Sequence, residues 1–306
     1  MPLVSERYLL SLAEEKNFAV PGFFPFNLDF LRVIMEVCEE ERSPVIICQG
    51  PEFIESFGER LFTEACKIAA EYSSVPMALS VDHTFVTDES TVNKLAHTIN
   101  LGWDAVMLDG SLLPYEENVR LTKKMVEICR EKGANCTGAL GEVRRFFPQA
   151  QMYKGPFEES FTVPAEIMTD PQQAKDFIDR TGIDVLAVSA GQYIRSLWDG
   201  EKPPFKKTGR LDIERIKKIK ELTNSHLILM GSTHVNEDDL ALAARSGVNM
   251  IKVASEYALL WSDEIRRLLE EDKNVMFPED IQKPGLAAVK ESMRRFIRIF
   301  NSNNQV

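Results

Sequence analysis

Carboxylate and imidazole side chains follow short apolar segments at separate places in the chain. Asp82 stands beside His83 after the apolar run 76–81, and Asp109 follows the run 105–108. A carboxylate in such a position can act as a general acid or base, and an imidazole can bind a metal ion or shuttle protons. These residues predict proton transfer, with Asp82, Asp109 and Lys252 as the candidate catalytic residues.

Small and hydroxyl residues form a second candidate site, for an anion. Gly231-Ser232-Thr233 follows the apolar run 226–230 and can present backbone N–H groups and two hydroxyls. Lys252 lies in the next apolar run, where a buried ammonium needs a counter-charge that a phosphate would supply. An ion pair of Lys252 with Asp82 or Asp109 is the alternative. The candidate phosphate-binding residues are Gly191, Gly231, Ser232, Thr233, Ser255 and Lys252.

Alternating apolar runs and amphipathic segments predict the elements that position these groups. Eight strands are predicted, at 18–24, 44–48, 76–81, 105–108, 135–140, 184–188, 226–230 and 249–254. Helical patterns lie between them, at 28–42, 55–72, 88–100, 115–132, 171–181, 212–222 and 237–246. Eight strand–helix units in series favour a single (β/α)8 barrel, with an open doubly wound sheet as the alternative. Reactive groups of such barrels lie beyond the C-terminal ends of the strands.

The predicted barrel fills residues 1–306 as one domain. The segment 142–168 is long for a strand-to-helix connection and is interpreted as an active-site loop. A helical stretch at 283–300 follows the eighth unit as a C-terminal extension.

Composition and charge limit the partners and the location. The net charge is −11, from 36 basic and 47 acidic residues, which argues against a nucleic-acid surface because phosphate-backbone binding needs clustered Lys and Arg. Five cysteines without CxxC spacing indicate a reducing compartment. No apolar stretch approaches the roughly 20 residues that span a bilayer. We expect a soluble, cytoplasmic protein that binds neither membrane nor nucleic acid.

Several of these segments resemble the class II fructose-bisphosphate and tagatose-bisphosphate aldolases over essentially the whole chain. The segment 76–83 (PMALSVDH) looks like the third strand of that family with its Asp-His pair. The most specific segment is 106–111 (VMLDGS), continuing to 118, and the end 297–300 (IRIF) is similar to the last family helix. The resemblance implies a (β/α)8 barrel that acts on a phosphorylated ketose, as a homodimer or homotetramer.

The resemblance does not extend to the metal site. In that family three imidazoles hold a zinc ion that polarises the ketone of dihydroxyacetone phosphate, and the Asp of the Asp-His pair moves a proton where the C–C bond breaks. The resemblance therefore implies Asp82 as the acid/base and His83 as the first zinc ligand. The other two ligand positions fall on Ile194 and Met230, which cannot replace imidazole. We expect the triple-histidine zinc site to be lost, unless a local alignment shift makes His234 a ligand.

Three hypotheses about function follow. The first is an aldolase-type lyase that uses either a Schiff base on Lys252 or Mg²⁺ or Mn²⁺ held by Asp82, Asp109 and Glu142. The second is a sugar-phosphate epimerase or isomerase. The third is a non-catalytic sugar-phosphate-binding protein or accessory subunit, since fold analogy alone does not distinguish the three.

Overall fold

Eight parallel strands close into a barrel. The computed structural model describes residues 3–146, 161–195 and 205–306. Each barrel strand pairs with its neighbours in the chain, and the last pairs with the first through Val20 and Met250. The (β/α)8 prediction is confirmed and the open-sheet alternative is wrong. The strands are Val20–Phe23, Val45–Gln49, Met77–Phe85, Ala105–Asp109, Asn135–Leu140, Val185–Val188, His226–Leu229 and Val248–Val253.

A layer of helices covers the outer face of the barrel, so the strands are buried on both faces. Asn27 caps the first helix of this layer by accepting a hydrogen bond from the backbone of Phe30 at 2.9 Å. Gly102, Gly133 and Gly182 end three others in the left-handed conformation. The helices are Leu28–Glu41, Pro51–Phe57, Glu59–Tyr72, Glu89–Leu101, Tyr115–Lys132, Pro171–Thr181, Ile213–Thr223, Glu237–Ala244, Ser255–Glu271 and Pro278–Ile299.

Two predicted elements differ from the structure, and a helix and a small sheet were not predicted. The predicted helix 55–72 is two helices, because Gly58 takes a φ of 85° between Phe57 and Glu59. The third strand continues to Phe85, so the Asp-His pair lies within the strand instead of after it. The helix Ser255–Glu271 was not predicted, nor was a small sheet of Arg145–Phe146 with Ile194–Arg195. In the predicted loop 142–168, residues 147–160 lie outside the described residues.

A helix at Glu6–Lys16 closes the N-terminal end of the barrel. Its Leu9 and Leu10 pack among the interior side chains of the strands. Glu6 reaches Asn135 at the start of the fifth strand and accepts its amide hydrogen bond at 2.8 Å. The opposite end of the barrel, at the C-terminal ends of the strands, is therefore the end from which a ligand can enter. Within the described ranges, no helix combines the length and apolar character needed to cross a membrane.

Candidate active site

A pocket lies at the C-terminal end of the barrel and gathers residues from six separate parts of the chain. Asp82 and His83 reach it from the third strand, and Lys252 from the eighth. Four candidate phosphate-binding residues also line it: Gly231, Ser232, Thr233 and Ser255. Two predicted residues, Asp109 and Gly191, do not line it. The lining residues are Phe24, Asp82, His83, Arg145, Ile194, Met230, Gly231, Ser232, Thr233, Lys252, Ala254 and Ser255.

Asp82 and Lys252 form an ion pair in this pocket. The Lys252 Nζ donates to Asp82 Oδ1 at 2.8 Å, and the two side chains are 3% and 19% exposed, lysine first. Burial disfavours both charges, but their mutual attraction outweighs it, so the pKa of Asp82 is lowered and that of Lys252 is raised. Gly22 pairs in register with Lys252 and leaves room for the lysine stem. Lys252 therefore has the ion pair that was the alternative to phosphate binding.

His83 and Asp109 form a second buried pair. The imidazole Nε2 hydrogen-bonds the Asp109 carboxylate, which also accepts from the backbone N–H of Ser111 at 2.8 Å. Burial would raise the pKa of Asp109, but His83 outweighs it and holds the pKa at about 2. Burial and the charge of Arg145 lower the pKa of His83. Asp109 thus contacts the pocket through His83 and orients the imidazole.

The predicted anion loop, Gly231-Ser232-Thr233, also lines the pocket. Gly231 has a φ of 80°, which favours glycine at this turn. Ser232 Oγ donates to the backbone carbonyl of Lys252 at 2.8 Å, and Thr233 Oγ1 accepts from the backbone N–H of Glu256, in the helix Ser255–Glu271, at 3.2 Å. Both hydroxyls therefore tie the loop to the eighth strand and its helix. Ser255 lines the pocket at the first position of that helix, where backbone N–H groups favour anions.

Gly191 has a packing role in the structure. Its φ is 109°, and a Cβ at this position would lie 2.4 Å from the backbone oxygen of Arg210. The glycine therefore allows two loops to approach closely. The phosphate-binding prediction for Gly191 has no direct geometric support.

Arg145 lines the pocket although it is not among the candidate catalytic or phosphate-binding residues; the sequence indicates only that Arg144 and Arg145 could meet an anion, with a solvated loop as the alternative. The Arg145 guanidinium lies 4.6 Å from the centre of the Phe85 ring, and Nη2 lies 3.6 Å from the sulfur of Met230. The neighbouring Arg144 instead pairs with Glu142 at 2.9 Å. Arg144 precedes the short strand Arg145–Phe146 and does not line the pocket. The sequence alone did not distinguish the two arginines, because the short sheet that positions Arg145 beside Ile194 was not predicted.

The side chains present do not fit a zinc ion. His83, Ile194 and Met230, the three ligand positions implied by the resemblance, do meet at this pocket. Only one carries an imidazole, and its Nε2 is engaged by Asp109. His234 does not line the pocket but stacks on Tyr193, with ring centres 6.0 Å apart. Catalytic zinc sites use three protein ligands, so this donor set is insufficient.

An oxygen-ligand site for Mg²⁺ or Mn²⁺ is not assembled either. Asp82, Asp109 and Glu142 each bond a different basic or imidazole side chain. Across the described ranges of the chain, no group of three His, Cys, Asp or Glu residues is placed to hold a metal ion.

The closed barrel and the buried acid–base pairs at its C-terminal end are typical of a barrel enzyme for a small polar substrate. Residues 4–305 match the sequence profile of the family "Fructose-bisphosphate aldolase class-II". The chain therefore belongs to the class II fructose-bisphosphate aldolase family, and the family resemblance is confirmed. Membership supports an aldolase-like lyase function on a phosphorylated ketose.

Solved structures share the fold along the full chain. The YdjI aldolase from Escherichia coli K12 is 24% identical, with a TM-score of 0.76 and 99% of both chains covered. A putative fructose-1,6-biphosphate aldolase from Coccidioides immitis is 23% identical, with a TM-score of 0.79, covering 98% of this chain and 97% of its own. Fructose-bisphosphate aldolase from Campylobacter jejuni is 17% identical, with a TM-score of 0.75, covering 100% and 97%. At these identities the likeness shows the fold.

Proposed function

We propose that this protein is an aldolase-type lyase for a phosphorylated ketose, in which Asp82 moves the proton and Lys252 supplies positive charge. The observation that carries the proposal is the Asp82–Lys252 ion pair at 2.8 Å, inside a pocket that also holds the anion loop. A proton acceptor, a fixed cation and an anion site are the three groups that retro-aldol cleavage needs.

The proposed cleavage divides these tasks among separate residues. Asp82 accepts the proton of the hydroxyl on the carbon that becomes the aldehyde. The adjacent C–C bond breaks, and its electron pair moves toward the substrate carbonyl, whose oxygen becomes negative. The Lys252 ammonium stabilises that oxygen. Return of the proton from Asp82 to the carbon then completes the ketone product and restores the carboxylate. The loop of Ser232 and Thr233, with Ser255, receives the phosphate.

The state of Lys252 favours an electrostatic role over a Schiff base. A nucleophilic lysine must be neutral, whereas the ion pair with Asp82 stabilises the charged form. Borohydride treatment with dihydroxyacetone phosphate, followed by peptide mass mapping, distinguishes the two roles. We expect no adduct on Lys252; a stoichiometric adduct would establish covalent catalysis instead.

The lyase proposal is tested by product analysis over a panel of ketose phosphates. We expect two fragments from at least one substrate, and loss of cleavage in an Asp82→Asn variant. Asp179→Asn is the matched control, because Asp179 is an exposed carboxylate on an outer helix that pairs with Lys175. A single isomeric product would establish an epimerase or isomerase, and binding without turnover would establish a binding protein. Either result refutes the lyase.

We further propose a homo-oligomer in the cytoplasm, with residues 1–306 as one domain and the segment 142–168 as its active-site loop. Light scattering of the purified full chain tests the oligomeric state. A monomer at micromolar concentration would refute that part alone.

A further inference from the structure

Arg145 lies among the three side chains that stand at the zinc-ligand positions. It pairs in register with Ile194 in the small sheet, and its Nη2 lies 3.6 Å from the sulfur of Met230. It also interacts electrostatically with His83, the third position. All four residues line the same pocket. The guanidinium therefore occupies the region in which a metal held at these positions would lie.

Toward the residues that the structure describes, Arg145 uses few of its hydrogen-bond donors. A guanidinium has five N–H donors. Its hydrogen bond to the Met230 sulfur is a weak one, and its buried Nε has no hydrogen-bond partner among the residues that the structure describes. The Phe85 ring, 4.6 Å from the guanidinium carbon, holds the group in place through a cation–π contact. A fixed cation with spare donors is suited to bind an oxygen anion.

We propose that Arg145 replaces the metal ion: its guanidinium excludes a divalent cation from the pocket and binds the oxygen on which substrate charge develops. This inference rests on the proposed lyase function for the identity of that oxygen. The exclusion of metal does not depend on the lyase function. It follows from repulsion between the guanidinium and a divalent cation, and from the two apolar side chains at the ligand positions.

Zinc binding tests the exclusion of metal without any assay of activity. The double variant Ile194→His, Met230→His places imidazoles at both apolar ligand positions, and it is compared with a triple variant that also carries Arg145→Met. Equilibrium dialysis with zinc measures affinity, and circular dichroism checks the fold of each variant. We expect the triple variant to bind zinc at least about tenfold more tightly than the double variant, because a neighbouring full charge is removed.

Arg144→Met in the two-histidine background is the matched control, because Arg144 pairs with Glu142 and does not line the pocket. It should leave the zinc affinity unchanged. Equal zinc affinities with and without Arg145 would overturn the proposal. So would stoichiometric zinc bound in the pocket of the wild-type chain, a measurement that needs no variant to fold.

Ligand binding tests the second half of the proposal. Calorimetry measures the binding of dihydroxyacetone phosphate and of inorganic phosphate. The comparison distinguishes contacts to the carbonyl end of a ligand from contacts to its phosphate. Arg145→Met should lower the affinity for dihydroxyacetone phosphate by about tenfold to a hundredfold, the range for one charged hydrogen bond, and the affinity for inorganic phosphate by much less. Equal weakening of both probes would place Arg145 at the phosphate and overturn its assignment to the carbonyl. If the wild-type chain binds neither probe, the proposed substrate class fails while the zinc result stands.

Discussion

Replacement of Lys252 by methionine tests the energetic role of the central ion pair. At 2.8 Å and an effective dielectric constant of about 20, two unit charges attract by about 6 kcal/mol. Burial of both charges offsets part of this attraction, and removal of one partner from a buried pair costs about 3–5 kcal/mol because the other charge is left unpaired. We expect Lys252→Met to lower the free energy of unfolding at pH 7 by about 3 kcal/mol, the lower end of that range, since Asp82 is 19% exposed.

A double-mutant cycle isolates the interaction. Unfolding in urea is measured for the wild type, Lys252→Met, Asp82→Asn and the double variant. We expect the double variant to be more stable than the sum of the single effects predicts, by about 2 kcal/mol or more, because it leaves no unpaired charge. Additive single effects within about 0.5 kcal/mol would show that the two side chains do not interact, and would refute the reasoning.

Three further changes test other parts of the site and its support. Gly22→Ala places a Cβ 3.0 Å from the Lys252 Cγ. We therefore expect a larger loss of turnover in a steady-state assay than of melting temperature, each taken as a fraction of its wild-type value. Gly191→Ala should destabilise the chain by at least about 1–3 kcal/mol in urea, because of its φ of 109° and the Arg210 oxygen 2.4 Å from the new Cβ. Burial raises the pKa of Asp104 from 3.8 to about 7, so the stability that its protonated form contributes is complete below pH 3.8 and is lost as the pH rises through 7. Asp104→Asn should therefore lose less stability than the wild type between pH 5 and 8, and a parallel decline in both would contradict this.

The sequence predicts the barrel because each strand and helix carries its own local signal. The runs at 105–108 and 135–140 and the glycine caps need no knowledge of distant contacts. The helix Ser255–Glu271 was missed because the prediction assigned Ser255 to a phosphate loop, although the same residue begins a helix. The break at Gly58 was missed because the apolar period continues across it.

The pocket was harder to predict because its pairings join distant residues. Asp82 and His83 are adjacent in the chain but take different partners, since neighbouring side chains of a strand point in different directions. The sequence offered Asp82 and Asp109 as equal partners for Lys252, and only the register of the barrel selects Asp82. The spacing of the motifs therefore locates the site but does not show which charged side chains pair with each other.

In the proposed mechanism, the fixed charges of the pocket take the place of a metal ion. Asp82 and Asp109 contribute two negative charges, and Lys252 and Arg145 contribute two positive ones, while burial keeps His83 toward its neutral form. These four charges balance before a ligand arrives. A zinc ion would add two positive charges, and among the residues that the structure describes no remaining carboxylate of the lining offsets them. A substrate that develops negative charge on an oxygen meets two fixed cations instead. Transition-state stabilisation by such prearranged charges needs no reorganisation at the moment of reaction.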